Sequence, residues 1–277
     1  MMKANVYDAA GKPVDKMDMP DVFSTPLRRD LITRAFLSIA SRGRHAYGTD
    51  LLAGNRSSAH YQGRRRRVRW SMMGKEMARM QRIHGNQPGY LQFRARNVPQ
   101  AVKGREAHPP KTWKDWTQRI NRKENRLAID SAIAATANRP LVEARGHMLQ
   151  DVKELPIVLE NAVEKMSRAA ELAKLFDALG LSAEVGRVSE KRIRAGRGKS
   201  RGRKYRVKVG PLIVVSKDAG IRMAARSFPG VAVTRADRLN VAELAPGALP
   251  GRLTLFTKAA IDALASEKGA GDKKEKE

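Results

Sequence analysis

The residues with the clearest capacity for chemistry are arginines. From 42 to 111 the sequence places Arg42, Arg44, Arg56, Arg64, Arg65, Arg66, Arg67, Arg69, Lys75, Arg79, Arg82, Arg94, Arg96, Lys103, Arg105 and Lys111 against only Asp50, Glu76 and Glu106. A guanidinium is a planar fork that matches phosphate bidentately and stacks on bases, so the bias toward arginine favours nucleic acid over a merely solvated charge run. Tyr61, Trp70, Tyr90 and Phe93 interleave with these cations and offer stacking platforms for unpaired bases. The plain alternative is a disordered solubilising loop, which would seldom carry such aromatics. His84 and His108 lie in the same stretch, where an imidazole is expected to stack on or hydrogen-bond to RNA rather than ligate a metal.

A second cluster holds Arg192, Arg194, Arg197, Lys199, Arg201, Arg203, Lys204 and Arg206. Gly198-Lys199-Ser200 within it imitates the end of a phosphate-cradling P-loop. The full motif needs a glycine five residues before Gly198, where Ile193 stands, and a strand leading into it. No catalytic set emerges elsewhere: the five histidines are widely spaced, H-E-x-x-H is missing, and cysteine is absent, which removes disulfides, thiolate zinc sites and cysteine nucleophiles. No enzyme, cofactor or metal site is expected.

Composition sets the class of partner. The chain has 277 residues and a formal net charge of +27, from 55 Lys and Arg against 28 Asp and Glu, far beyond what solubility requires. A polyanion is the expected partner. With 42% hydrophobic residues the chain can still bury a core. No apolar run approaches the roughly 18 residues needed to span a bilayer, and the opening residues lack a signal-peptide core, so a cytoplasmic location is expected.

The elements that must position these cations are readable from periodicity. A strand is expected at Ala4 to Tyr7, a turn at Gly11-Lys12-Pro13, and a helix from Thr25-Pro26, with Thr25 as N-cap and Leu31, Ile32, Ala35, Phe36 and Ile39 facing the core. Residues 42–111 show no sustained period. A structureless stretch of about 70 residues is foreign to a compact domain, and folded back on itself it could reach roughly 100 Å; it is read as an extended arm ordered by its partner. Patterning resumes with a capping-box-like Asn121 and Glu124 before Leu127, Ala128, Ser131, Ala132 and Ala135. Beyond it come a strand at Ile157 to Leu159, a helix from Ala162 to Leu179 closed by Gly180, strands at Leu212 to Val215, Val231 to Val233 and Leu253 to Phe256, and helices near Gly220 to Ser227 and Lys258 to Ala265. Short apolar strands alternating with helices predict an α/β domain, a mostly parallel open sheet with helices on both faces. It spans 1–41 and 112–266 and is interrupted by the long basic loop; 267–277 has nothing to bury and is expected to be disordered.

Several segments resemble the archaeal form of the ribosomal large-subunit protein four family: AGNRSSAHYQG (Ala53 to Gly63), NVPQAVKGREAHPPK (Asn97 to Lys111), KENRLAIDSAIAATAN (Lys123 to Asn138), RIRAGRGKSRGRKYR (Arg192 to Arg206) and GPLIVVSKDAGIRMAARSFPGVAVTRADRLNVAELAPG (Gly210 to Gly247). The resemblance implies a structural role in the large ribosomal subunit, with early binding to large-subunit rRNA, contacts to several rRNA domains and neighbouring ribosomal proteins, and an arm lining the tunnel that the nascent polypeptide leaves by. It points to Gly63 to Lys75 as the arm's tip, with Gly63, Arg65, Arg67 and Trp70 nearest the lumen. RRRRVRW at Arg64 to Trp70 is longer than the glycine-rich counterpart in bacterial and eukaryotic relatives. The rivals are an RNA-binding or chaperone protein outside the ribosome and a nucleotide-using α/β enzyme; Ile193 already counts against the latter.

Overall fold

A computed structural model describes residues 2–61, 63 and 71–273, with side chains to residue 266. The chain divides into two units, 1–42 with 117–277, and 43–116.

The first unit is built on a six-stranded sheet. In chain order its elements are β1 (Lys3–Tyr7), β2 (Pro13–Asp18), α1 (Arg29–Arg42), α2 (Arg122–Ala137), α3 (Arg139–Ala144), β3 (Ile157–Leu159), α4 (Ala169–Ala178), α5 (Ser182–Ser189), β4 (Arg192–Ile193), β5 (Tyr205–Arg206), β6 (Leu212–Val215), α6 (Ile221–Ala225), β7 (Ala232–Arg235), α7 (Val241–Leu244), β8 (Thr254–Thr257) and α8 (Lys258–Lys273). The strand order is β2-β1-β3-β8-β6-β7, with β4 and β5 forming a separate ribbon. Only the β1–β2 pair of the large sheet is antiparallel.

Strand side chains alternate between faces, and this divides the core. Val158, Leu212, Val214 and Phe256 face one side, with Ile32 and Ala35 of α1, Ala128, Ala132 and Ile133 of α2, and Ala260 and Ile261 of α8. Ile157, Leu159, Ile213, Val215 and Leu255 face the other, against Leu172, Leu175 and Phe176 of α4 and Ile221 and Ala224 of α6. A sheet covered on both faces needs continuously apolar central strands. Those of β3 and β6 are fully buried. The expected α/β architecture is therefore present. Among the described residues no helix is long and apolar enough to cross a membrane.

Four local expectations differ. The helix expected from Thr25-Pro26 starts at Arg29, because 25–28 is tied to α2: Ser131 Oγ donates to the Pro26 carbonyl at 3.2 Å and accepts the Arg28 N–H at 2.7 Å. Asn121 is the N-cap of α2 but makes no side-chain cap bond, and Glu124 pairs with Arg34 at 2.9 Å instead. The helix expected over Ala162 to Leu179 is split into a 3-10 turn at Asn161–Lys165 and α4. The turn brings buried Glu164 to the strand ends, where it accepts the Ser216 N–H at 2.8 Å and the Thr257 hydroxyl at 2.7 Å. Strand β2 was not expected, since its residues are mostly exposed and lack an apolar alternation. The last helix, expected to end at Ala265, continues to Lys273, passing through Gly269 and Gly271 although glycine is a poor helix former.

Candidate nucleic-acid interface

Within the first unit, the chain segments that flank 43–116 are tied to each other. Near the end of α1, Ser38 Oγ donates to the Gln118 carbonyl at 2.7 Å, and Ser41 Oγ accepts the Gln118 N–H at 2.9 Å. The outgoing and returning chains are thus fastened together beside Arg42.

Among its described residues the 43–116 unit contains one 3-10 turn, Gly89–Leu91, and isolated bridges joining Arg82 to His60 and to Ala95. Polar groups do most of the joining. The Asn97 amide donates to the Ala59 carbonyl at 3.0 Å and accepts from the Ser57 hydroxyl at 2.9 Å, while Ser58 donates to the His84 carbonyl at 2.8 Å. Ala59, Met72 and Ile83 are its buried apolar residues among those described, too few to form an independent core. The His60 and His84 rings meet edge to face, centroids 3.9 Å apart; burial and the neighbouring His60 lower the His84 pKa.

The expected contact residues divide by what they already hold. Arg44, Arg56, Arg79, Arg94, Lys103, Arg105, His108 and Lys111 are exposed, as is Arg42 at the end of α1. Half-buried Arg82 donates to the Phe93 carbonyl at 2.7 Å and to the Ala78 carbonyl at 2.8 Å, and Arg96 donates to the Val102 carbonyl; both arginines brace the segment itself. Lys75 Nζ lies 3.6 Å from the centre of the Phe93 ring. Gly63 is described with a positive φ, whereas Arg64, Arg65, Arg66, Arg67, Arg69 and Trp70 lie outside the described residues.

Aromatics at the base of this unit carry no marked periodicity in the sequence. Tyr47 stacks on Trp116, and Arg44, Lys114 and Trp116 form a cation–aromatic cluster. Trp113 is 66% exposed, with Lys111 Nζ 5.2 Å from its ring centre. The alternation K-T-W-K-D-W at 111–116 was the available signal, and it straddles the boundary drawn at Lys111.

The second cluster is the β4–β5 ribbon. Arg192 pairs with Arg206 and Ile193 with Tyr205, so alternation puts Arg192, Arg194, Lys204 and Arg206 on one face and the exposed Ile193 and Tyr205 on the other. Like charges directly opposite destabilise a strand pair unless a counter-charge lies over them. Arg197, Lys199, Arg201 and Arg203 crowd the turn, all exposed. Gly198-Lys199-Ser200 sits in a 3-10 turn between two exposed two-residue strands, which is not the strand-to-helix setting of a P-loop.

The neck of this ribbon is anchored by buried charge. Glu184 accepts from Arg187 at 2.6 Å and from His147 Nδ1 at 2.7 Å, and Arg187 also donates to the Val209 carbonyl at 2.8 Å. Burial pulls the Glu184 pKa upward, but these bonds and the Met148 N–H outweigh it and hold it at about 2. Burial lowers the His147 pKa, so the ring is neutral at pH 7 and donates through Nδ1. Buried Arg252 donates to the carbonyls of Gly210 at 2.9 Å and Glu243 at 2.8 Å, fixing the chain where the ribbon returns to β6. No group of three His, Cys, Asp or Glu among the described residues could hold a metal ion.

A family model described as the ribosomal protein L4/L1 family matches residues 17–267. The chain is 44% identical over 269 residues to the large ribosomal subunit protein uL4 of Methanopyrus kandleri, covering 97% of this chain and all of that protein. It is 44% identical to the uL4 protein of Archaeoglobus fulgidus, covering 95% and 98%, and 42% identical to that of Nanoarchaeum equitans, covering 96% and 99%.

Proposed function

The chain belongs to the ribosomal protein L4/L1 family, and from this we propose that it is a structural, non-catalytic constituent of the large ribosomal subunit in the cytoplasm. The observation that carries the reading is the match along nearly its whole length to relatives named large ribosomal subunit protein uL4. Its partners are then large-subunit rRNA and neighbouring ribosomal proteins.

The mechanism is electrostatic and geometric. The exposed arginines and lysines of 42–111 and of the β4–β5 ribbon neutralise crowded phosphates, and aromatics stack on unpaired bases. Arg82 and Arg96 act indirectly, by bracing the arm's backbone. The α/β unit supplies the stable platform, and the arm acquires its stability from RNA bound early in assembly. Its tip, Gly63 to Lys75, lines the tunnel, with Gly63, Arg65, Arg67 and Trp70 facing the nascent polypeptide.

Sedimentation of tagged full-length protein from a lysate at high salt tests the reading. The protein is expected in the large-subunit peak; protein left at the top of the gradient would reduce it to a generic RNA binder.

A further inference from the structure

Two close approaches pinch the legs of the 43–116 unit together. At the first, a Cβ on Gly48 would lie 3.0 Å from the Thr112 nitrogen, and the Thr49 N–H donates to the Pro110 carbonyl at 3.2 Å. At the second, a Cβ on Gly54 would meet the Arg105 nitrogen at 2.4 Å. Between them lies a cavity of about 620 Å³, the size of a ligand-holding cleft rather than a packing gap.

Its lining combines apolar surface with selected charges. Leu51, Pro109, Pro110 and Trp113 contribute to it. Leu51 is 77% exposed and Trp113 66%, large apolar faces left to water in a highly cationic unit. Asp50 is engaged by Arg56 and by the Leu52 N–H at 3.1 Å. Arg105 and Lys111 therefore face the cleft with Glu106 as the remaining carboxylate of the lining.

We propose that this cleft holds one unstacked nucleotide of the ribosomal RNA, its base against Trp113 and Leu51 and its phosphate toward Arg105 and Lys111. An aromatic wall suits any base, and Glu106 can accept a hydrogen bond from an exocyclic amine, favouring a base that carries one. A peptide of a neighbouring protein would use the apolar wall but leave the paired cations without a phosphate. The proposal rests on the ribosomal reading above.

Full-length protein with a photoreactive benzophenone replacing Leu51 is assembled into large subunits and irradiated. A single crosslinked nucleotide is expected; a crosslink to a protein, scattered RNA crosslinks or none would overturn the proposal. Trp113→Ala is expected to weaken binding to large-subunit rRNA about tenfold or more, and Trp113→Phe to restore most of it. Equal affinities for all three forms, with unchanged urea midpoints, would also overturn it. Failure of the unsubstituted chain to enter large subunits would instead defeat the ribosomal reading, on which this one depends.

Discussion

The guanidinium carbon of Arg44 lies 3.9 Å from the centre of the Trp116 ring. Tyr47 stacks on the same indole, ring centres 5.9 Å apart and planes 5° from parallel, and Lys114 Nζ stands 4.2 Å from its centre. Residues at the two ends of the basic segment are thus joined by one aromatic ring. A partly exposed cation–aromatic contact is worth about 0.5–1 kcal/mol. In assembled subunits, Trp116→Ala is expected to raise amide hydrogen exchange severalfold around residues 44–49 and 110–116 while amides of β6 and β8 stay protected. Unchanged exchange at both ends would show that the ring does not close the neck.

The bulk of the arm should respond differently. With Ala59, Met72 and Ile83 as its buried apolar residues among those described, residues 42–111 cannot offset their ordering entropy alone. In free protein their amides are expected to exchange rapidly, and in assembled subunits slowly. Strong protection in the free protein would contradict a partner-stabilised arm.

Much of the α/β unit was legible because burial on both faces writes itself as short apolar runs: Ile157 to Leu159 and Leu212 to Val215 coincide with β3 and β6. What escaped was decided by tertiary hydrogen bonds. Ser131 postpones α1, Glu164 divides the helix before α4, and Arg34 draws Glu124 away from a cap. The interface was legible as charge but not as roles. Composition cannot distinguish Arg82 and Arg96, which hold carbonyls, from the exposed Arg94 and Arg105. Nor does it reveal that Trp116 closes the neck.

Gly54 has φ +78, and its missing Cβ makes room for the backbone at Arg105. Gly54→Ala must force the legs apart, since main chain cannot yield as a side-chain tip can. Binding to large-subunit rRNA is expected to weaken about tenfold or more, with the thermal midpoint of the α/β unit unchanged. Wild-type affinity would show that the pinch is dispensable.

Glu184 couples stability to pH. Its folded pKa, about 2, lies below the ordinary 4.5, so its contribution is fully present above about pH 4.5 and is lost as pH falls toward 2. His147, also lowered, acts with the same sign: stability falls as the pH drops below the ordinary 6.5. Glu184→Ala strands Arg187 and is expected to lower unfolding free energy at pH 7 by about 3–5 kcal/mol. Urea titrations at pH 7 and pH 3 check both points: the variant should show a smaller decline toward acid than the parent. An equal decline would remove Glu184 from the account.

The central claim is that the basic arm binds by neutralising RNA phosphates. The most direct test is the affinity of full-length protein and of a variant lacking Ser58 to Ala107 for large-subunit rRNA across a salt series. Each neutralised phosphate contributes about 0.7–0.9 to the slope of log affinity against log salt. If roughly half the deleted cations reach phosphate, the deletion should make the slope shallower by about 4–5. Parallel slopes for the two proteins would contradict the claim and leave the arm without a role in binding.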